Sequence, residues 1–252
     1  MLVAGPCAIE SRKQAYKIAR YVKSEGATIF RGGAWKGQNK PFPNGKPAYW
    51  GLKESAVDIL ANIQEDLKMP CVTEVQSEQQ ADYCVNTGLD YLQVGARHMQ
   101  NFPLLKVLGE YLHNHKLEKV ILKRGLGNTV DEWIGAAEHL GGPKHVILCE
   151  RGIATFDRTN DTRWRLDLVA IAYIVKYTRY NIIADPSHGS GDRQLVSLLS
   201  QACMQITDGL MLEVHDNPDE SPTDAKQTID FKEFRKIAEM YKNVSRTKKI
   251  RQ

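Results

Sequence analysis

Short apolar runs recur along the chain, and a longer amphipathic segment follows each of them. The runs are mostly continuous in apolar residues, which is typical of strands that are buried on both faces. The predicted strands span residues 2–5, 28–31, 71–75, 91–94, 120–123, 146–150, 182–185 and 209–214. The predicted helices span residues 12–24, 52–67, 77–87, 102–113, 129–140, 164–178, 191–203 and 230–241.

Eight strand–helix units in 252 residues leave about 30 residues for each unit, which is the size of a βα repeat. Strict alternation of strands and helices requires parallel strands joined by right-handed crossovers. We therefore predict a single-domain α/β fold, a (β/α)8 TIM barrel. A doubly wound open sheet is the alternative. That fold carries a glycine-rich phosphate-binding turn after its first strand, and Gly5-Pro6-Cys7 stands there instead.

The predicted barrel fills residues 1–245, and we expect a basic, disordered tail at residues 246–252. Because the first predicted strand begins at residue 2, we expect no amino-terminal regulatory domain before it. No internal linker divides the chain, so the fold is predicted to be one unit.

Charge and cysteine content exclude several classes of protein. The chain has 34 basic and 30 acidic residues, and its net charge of +4 is too small for the basic face of a nucleic-acid-binding protein. No apolar run approaches the ~20 residues of a transmembrane helix. The five cysteines lack the C-x-x-C spacing of metal-binding or disulfide frameworks. We expect a cytoplasmic protein that binds neither nucleic acid nor membrane.

Chemically active side chains stand at or just after the carboxyl end of every predicted strand. In a TIM barrel this is the end that carries the active site. Strands normally finish in turn-forming residues, so this pattern indicates a function. The residues are Cys7, Arg31, Glu74, Arg97, Lys123, Arg151, His188 and Glu213.

Some of these residues have the chemistry of a metal site. Cys7, His188 and Glu213 are candidate ligands, and Asp224 lies in the loop that follows the last strand. A mixed set of thiolate, imidazole and carboxylate suits Mn, Fe, Co or Zn and is too soft for calcium. The sequence therefore indicates one divalent transition ion at the barrel mouth.

A second group of strand-end residues is cationic. Arg31, Arg97, Lys123 and Arg151 would meet at one mouth, and burying several cations together is costly unless an anion neutralises them. Guanidinium groups match phosphate and carboxylate oxygens in pairs. Each residue taken singly is better explained as a packing or solvated side chain. Their joint placement favours a small, highly anionic ligand beside a Lewis-acidic ion.

Seven ordered motifs make the sequence resemble a known family. They are Gly5-Pro6-Cys7, Arg31-Gly32-Gly33-Ala34, Gln93-Val94-Gly95-Ala96-Arg97, Met99-Gln100-Asn101, Leu122-Lys123-Arg124-Gly125, Cys149-Glu150-Arg151-Gly152 and Asp185-Pro186-Ser187-His188. From about residue 2 to about residue 241 the chain resembles the 3-deoxy-D-arabino-heptulosonate 7-phosphate (DAHP) synthases, most of all their short single-barrel class. The 3-deoxy-D-manno-octulosonate 8-phosphate synthases of the same superfamily are the second-ranked match, because they differ in several of these stretches.

The resemblance implies an aldol-type condensation of phosphoenolpyruvate with erythrose 4-phosphate. The products are DAHP and phosphate, and the reaction opens the shikimate route to aromatic amino acids. The resemblance implies a divalent metal held by Cys7, His188, Glu213 and Asp224. It also implies a homo-oligomer, either a dimer or a tetramer.

The resemblance further assigns substrate contacts and proton carriers. Phosphoenolpyruvate is expected to bind Arg31, Arg97, Lys123 and Arg151. The candidates for proton transfer are Lys36, Glu74 and His188.

One stretch departs from the family pattern. The family reads Phe-Lys-Pro-Arg-Thr-Ser after the second strand, where the arginine and a hydroxyl hold the acceptor phosphate. This chain keeps the lysine as Lys36 but has no arginine there, and a lysine does not replace a two-pronged guanidinium. Lys40, Lys46 and Asp185 are the candidate acceptor-binding residues. A different aldose acceptor and a non-catalytic, anion-binding barrel therefore stay open as alternatives.

Overall fold

The computed structural model describes residues 1–37, 47–156 and 163–250, without the side chains of residues 245–250. Within these ranges eight parallel strands pair in sequence order, and the first strand also pairs with the last, which closes a barrel. The strands are β1 (Leu2–Gly5), β2 (Ile29–Arg31), β3 (Cys71–Val75), β4 (Tyr91–Val94), β5 (Lys119–Lys123), β6 (Val146–Glu150), β7 (Asn181–Ala184) and β8 (Gly209–Glu213). The predicted α/β TIM barrel is confirmed, and the open sheet is excluded.

Helices connect the strands and cover the outside of the barrel. They are α1 (Arg12–Ser24), α2 (Glu54–Leu67), α3 (Glu78–Asn86), α4 (Phe102–His113), α5 (Val130–Glu138), α6 (Leu168–Tyr177), α7 (Pro186–Ser190), α8 (Arg193–Met204) and α9 (Phe231–Ile250). The short α7 was not predicted. In the described ranges, none of the helices combines the length and the apolar content that crossing a membrane would need.

Two parts of the sequence differ from the predicted helices. The predicted helix at 164–178 begins only at Leu168, because Arg165 forms an isolated antiparallel bridge with Ile153. The last helix continues to Ile250, so the boundary expected at residue 245 falls inside it. Lysine and arginine are good helix formers, which explains why a basic segment continues the helix. Residues 251–252 lie outside the described residues.

Alternation along the strands creates two separate hydrophobic layers. One side chain in every two points to the barrel axis, and these residues form an inner cluster. The cluster comprises Val3, Ile29, Val72, Tyr91, Ile121, Ile147, Cys149, Ile183 and Met211. Side chains of the opposite parity, such as Leu122 and Leu148, pack beneath the helices in the larger outer core.

The inner cluster determines which residues reach the mouth of the barrel. A side chain two positions after an inward-facing residue also points inward. Ile29 is followed in this way by Arg31, and Ile121 is followed by Lys123. The same parity applies to Glu74, Gln93, Arg151, Asp185 and Glu213. The alternation of side chains along the strands thus places these polar residues together at the mouth of the barrel, directly above the inner apolar cluster.

Candidate active site

A cavity of about 670 Å³ opens at the carboxyl ends of the strands. Its walls are mainly polar and charged, in contrast to the apolar floor beneath it. The chemically active lining residues are Cys7, Arg31, Lys36, Glu74, Gln93, Arg97, Lys123, Arg151, Arg163, His188 and Asp224. Lys40 and Lys46, the predicted acceptor-binding lysines, lie outside the described residues.

Three of the four predicted metal ligands lie together. One ligand atom each from Cys7, Glu213 and Asp224 lies within 4.8 Å of the other two. The Cys7 thiol donates a hydrogen bond of 3.1 Å to Asp224 Oδ2. The fourth predicted ligand, His188, approaches this metal group with its Nε2 atom 3.6 Å from Glu213 Oε1. We refer below to Cys7, Glu213 and Asp224 as the metal group.

The metal group fits a divalent transition ion. Glu213 Oε1 is fully buried and accepts no hydrogen bond from the described residues, although Arg31 Nη1 lies 3.2 Å away as an ion pair. A buried oxygen without a hydrogen-bond partner is rare in native proteins and indicates a missing ligand or ion. Sulfur and carboxylate donors around that oxygen match the preferences of Mn, Fe, Co and Zn.

The amino group of Lys36 adjoins the metal group. Its Nζ atom lies 2.9 Å from Cys7 Sγ and 3.2 Å from the Cys7 carbonyl oxygen. Burial lowers the pKa of Lys36, but the neighbouring Cys7 and Asp224 raise it by more, so the amine stays protonated. Burial and the Glu213 carboxylate hold the pKa of the Cys7 thiol well above its ordinary value.

Asp185 lies behind the cavity wall and orients two of its residues. Its Oδ2 atom accepts a hydrogen bond of 2.7 Å from His188 Nδ1 and one of 2.6 Å from Lys123 Nζ. The His188 proton is thereby held on Nδ1, so the Nε2 lone pair faces Glu213. Burial lowers the pKa of His188, which keeps the imidazole neutral. Asp185 was predicted to contact the acceptor, but it is fully buried and is not among the described residues that line the cavity.

Three of the four predicted cations surround the deeper part of the cavity, and the fourth, Arg97, is exposed. Arg31, Lys123 and Arg151 are each at most 6% exposed, yet all three line it. Burial lowers the pKa of Arg151, whose guanidinium carbon lies 5.6 Å from the ring centre of Trp164. Arg97 lines the same space from the turn after β4. Arg31 and Lys123 are ion-paired with Glu213 and Asp185, so the buried guanidinium of Arg151 is the cation that most favours an anionic ligand.

Glu74 lies across the cavity on β3, and its position depends on a glycine. Gln93 Nε2 donates a hydrogen bond of 2.7 Å to Glu74 Oε2. A Cβ atom at Gly95 would lie only 2.4 Å from Glu74 Oε1, so a larger residue there would displace the carboxylate. A similar close approach occurs at Gly5, where a Cβ would lie 2.0 Å from the Arg31 carbonyl oxygen.

Residues of the opposite parity form a second ion network outside the barrel. Arg124 Nη1 lies 3.2 Å from Glu150 Oε2 and 2.8 Å from Asp167 Oδ2. Glu150 also accepts a hydrogen bond of 2.7 Å from the Gly152 N–H. Because Lys123 precedes Arg124 and Arg151 follows Glu150, this network ties together the two strand ends that carry cavity-lining cations.

Sequence reasoning missed two polar contacts of the metal group. Gln227 Nε2 donates a hydrogen bond of 2.6 Å to Glu213 Oε2. Arg163 Nη1 lies 3.2 Å from Asp224 Oδ1. Neither residue stands at a strand end, so the pattern that identified the other site residues contains no signal for them.

Comparison with known proteins places the chain in a family. The model of the DAHP synthetase I family matches residues 1–249. A phospho-2-dehydro-3-deoxyheptonate aldolase from Thermotoga maritima is 35% identical, over 97% of this chain and 69% of that protein. A 2-dehydro-3-deoxyphosphooctonate aldolase from Bartonella tribocorum is 26% identical, over 94% of this chain and 87% of its own length.

Solved structures agree with the sequence comparison. The crystal structure of the Thermotoga maritima DAHP synthase superimposes with a TM-score of 0.87 at 34% identity and covers 98% of this chain and 69% of that one. A truncated form of that enzyme gives a TM-score of 0.84 at 33% identity, covering 98% of this chain and 87% of the other. The fold, the ordered motifs and the match along nearly the whole chain show that this protein belongs to the DAHP synthetase I family.

Proposed function

We propose that the chain catalyses the metal-dependent condensation of phosphoenolpyruvate with erythrose 4-phosphate, giving DAHP and phosphate. The main observation behind this proposal is that two groups of residues meet in one cavity. Buried cations line its wall, and the metal group of Cys7, Glu213 and Asp224 lies beside them. Such a cavity can hold an anionic donor next to a carbonyl-activating centre.

The cations bind and orient phosphoenolpyruvate. Arg97 and Arg151 present guanidinium groups that match the phosphate oxygens, and Lys123 and Arg31 offer positive charge for the carboxylate. Arg31, Lys123 and Arg151 are buried, which excludes water and strengthens their interactions, whereas Arg97 is exposed at the mouth of the cavity. The same residues stabilise the phosphate as it leaves, because its charge increases when the C–O bond breaks.

A divalent ion of the Mn, Fe, Co or Zn class would be held by Cys7, Glu213 and Asp224 together with His188. When bound, the ion supplies Lewis-acid polarisation of the acceptor carbonyl. Asp185 contributes by fixing the imidazole of His188 so that Nε2 is available as a ligand.

The condensation requires three proton movements beside bond formation. A bond forms between C3 of phosphoenolpyruvate and the aldehyde carbon, and water adds at C2. The C2–O bond to the phosphate then breaks, and the leaving phosphate takes the proton of the remaining C2 hydroxyl as the ketone forms. Lys36 holds a proton at Nζ beside the metal group, so it donates to the former aldehyde oxygen. Glu74, across the cavity, accepts the proton of the adding water. His188 uses Nδ1 to hold Asp185, which leaves its Nε2 for the metal and gives it no proton to donate.

A different aldose phosphate is the second candidate acceptor. The loop that carries the acceptor-binding arginine in the family has no arginine here, and one relative is named for an octonate product. The non-catalytic alternative has less support, because an anion-binding barrel needs neither the metal group nor the amine of Lys36.

Self-association and cellular location belong to the same proposal. Helix α6 exposes apolar side chains on its outer face, among them Val169 at 80% and Tyr177 at 71%. Such a face favours burial in a homo-oligomer, a dimer or a tetramer. Light scattering on the purified protein measures its mass directly.

All five cysteines are unpaired, which is typical of the reducing cytoplasm.

A phosphate-release assay tests the function. Phosphate release should require phosphoenolpyruvate and erythrose 4-phosphate together, should stop when a chelator removes the ion, and should return when Mn or Zn is restored. Release from phosphoenolpyruvate alone would indicate a hydrolase. Release with another aldose phosphate, but not with erythrose 4-phosphate, would support the second candidate acceptor.

A further inference from the structure

We propose that Arg163 binds the phosphate of the acceptor aldose. This inference rests on the proposed function, since it assumes that the second substrate is an aldose phosphate. It assigns a substrate-binding role to a residue that the strand-end pattern did not identify.

The backbone around Arg163 is well fixed. The Arg163 N–H donates a hydrogen bond of 2.9 Å to the Ser190 carbonyl oxygen. Two residues later, Arg165 and Ile153 exchange hydrogen bonds of 2.9 and 3.1 Å. The segment is therefore attached both to the end of β6 and to α7, so the side chain projects from a defined position.

The side chain of Arg163 lines the outer part of the cavity. It is 34% exposed, whereas that of Arg31 deeper in the cavity is 7% exposed. Its Nη1 atom lies 3.2 Å from Asp224 Oδ1 and 3.3 Å from Gln227 Oε1. Within the described residues these hydrogen bonds all come from Nη1. A guanidinium carries five N–H donors, so the donors on Nη2 and Nε remain for a ligand.

The position of Arg163 suits the far end of the acceptor. The acceptor carbonyl must lie at the metal group, and the strand ends and their buried cations close the cavity behind it. The rest of the sugar therefore extends outward, past Asp224. Arg163 contacts Asp224 on that outward side, where a phosphate at the end of a short sugar would meet its guanidinium.

The sequence favours an arginine from another element as the acceptor-phosphate ligand. Between Arg31 and Arg97 the chain contains no arginine, so the loop after β2 offers only lysines to an acceptor phosphate. A lysine provides a point charge, whereas an arginine can hold two phosphate oxygens at once. Arg163 is a cavity-lining arginine that lies directly beside the metal group.

A positioning role is the competing explanation for Arg163. Its ion pair with Asp224 would also hold a metal ligand in place, and losing that contact would weaken metal binding. The two roles differ in their readout. Acceptor binding affects the KM for the aldose phosphate, whereas positioning affects the dissociation constant of the metal.

Steady-state kinetics of Arg163→Gln and Arg163→Lys separate the two roles. For Arg163→Gln we expect the KM for erythrose 4-phosphate to rise by about a hundredfold, the loss typical of a charged hydrogen-bonding pair. The KM for phosphoenolpyruvate and the dissociation constant for Mn, measured by chelator competition, should change less than about threefold, because the glutamine amide can still donate a hydrogen bond to Asp224 Oδ1. Arg163→Lys should restore the acceptor KM only in part, because lysine restores the positive charge but cannot hold two phosphate oxygens at once.

Arg165→Gln is the matched control, since Arg165 is exposed and outside the cavity lining, and it should leave all three constants unchanged. An unchanged acceptor KM in Arg163→Gln overturns the inference. A parallel loss of Mn affinity overturns it too and assigns Arg163 to positioning. If the parent protein condenses phosphoenolpyruvate with no aldose phosphate, the proposed function itself fails, and this inference fails with it.

Discussion

The environment of a single sulfur separates Cys7 from the other cysteines. All five cysteines are buried and unpaired, so burial alone does not identify a ligand. Cys7 Sγ contacts Lys36 Nζ and Asp224 Oδ2, whereas Cys149 belongs to the apolar cluster inside the barrel. The chemistry of the Cys7 thiol is therefore that of the metal group, and the chemistry of Cys149 is that of the core.

Replacing Cys7 tests this assignment. Cys7→Ala removes one proposed ligand and should lower metal-dependent turnover by at least about a hundredfold, because losing a ligand weakens metal binding more than losing an outer-shell contact does. Activity is measured as phosphate release at saturating metal, and circular dichroism checks the fold. Cys149→Ala is the control, since it also removes a buried thiol but should keep activity. Near-parental activity in Cys7→Ala would mean that the sulfur does not bind the ion.

Among single residues, the sequence predicts the site residues that stand at strand ends. Cys7, Arg31, Lys123 and Arg151 were found because each stands at the end of a buried apolar run, and the cavity does bring them together. Arg163 gave no such signal, since it reaches the site from an irregular segment. Asp185 was correctly placed at a strand end, but sequence alone did not indicate that its partners would be His188 and Lys123.

At the scale of elements, helix α6 begins where two interactions meet on Asp167. Its Oδ1 atom accepts a hydrogen bond of 2.9 Å from the Ala170 N–H and caps the helix, while its Oδ2 atom pairs with Arg124. Burial raises the pKa of Asp167, but the Ala170 N–H and the Arg124 guanidinium lower it by more, so its pKa lies below the ordinary value. One side chain thus joins the helix to the ion network behind β5 and β6.

Asp167→Asn isolates the ion pair, because asparagine keeps the capping oxygen and loses the charge. We expect a loss of about 1–2 kcal/mol in the free energy of unfolding at pH 7. A carboxylate whose folded-state pKa is depressed stabilises the protein above its unfolded pKa of ~3.9. That stabilisation is lost as the pH falls through the folded-state pKa, so the difference between variant and parent should shrink below about pH 4.

Denaturant unfolding at several pH values measures this difference. Asp131→Asn serves as the control, because Asp131 is exposed in the first turn of α5, and it should change stability by less than about 0.5 kcal/mol. A pH-independent difference for Asp167→Asn would show that the cost comes from packing and not from the charge.

The element boundaries were predictable where local signals were strong. Helix α5 begins at a capping box of Thr129 and Glu132 that is visible in the sequence. The five-residue α7 was not predictable, since Pro186–Ser190 has no helical periodicity and is too short to show one. The start of α6 was predicted four residues early, because the pairing of Arg165 with Ile153 depends on the closed barrel.

At the scale of the whole molecule, the closed barrel keeps the apolar residues that stabilise the fold apart from the charged residues of the candidate active site. The inner apolar cluster closes the floor, and the charged cavity lies above it at the carboxyl ends. Strict alternation of strands and helices made this arrangement predictable, because few topologies accept eight such units. The identity of the acceptor was not predictable, since it depends on how loops approach each other over the mouth.

Ligand-linked stability tests the charged cavity as a unit. If phosphoenolpyruvate binds the cations of the cavity as proposed, it stabilises the folded state, and at a hundredfold excess over its dissociation constant it should add about 2.7 kcal/mol to the stability. For a chain of this size that corresponds to a rise of several degrees in Tm. Thermal unfolding with phosphoenolpyruvate, and with pyruvate as the control that lacks the phosphate, measures the effect. Equal shifts with both ligands would contradict phosphate binding by the cations.

The most direct test of the central claim is mass spectrometry of the product formed from phosphoenolpyruvate and erythrose 4-phosphate, before and after chelation. Metal-dependent condensation should yield a seven-carbon phosphorylated keto acid, formed in equal amount to the phosphate released and absent after chelation. Phosphate released as pyruvate accumulates, with the aldose unchanged, would contradict it.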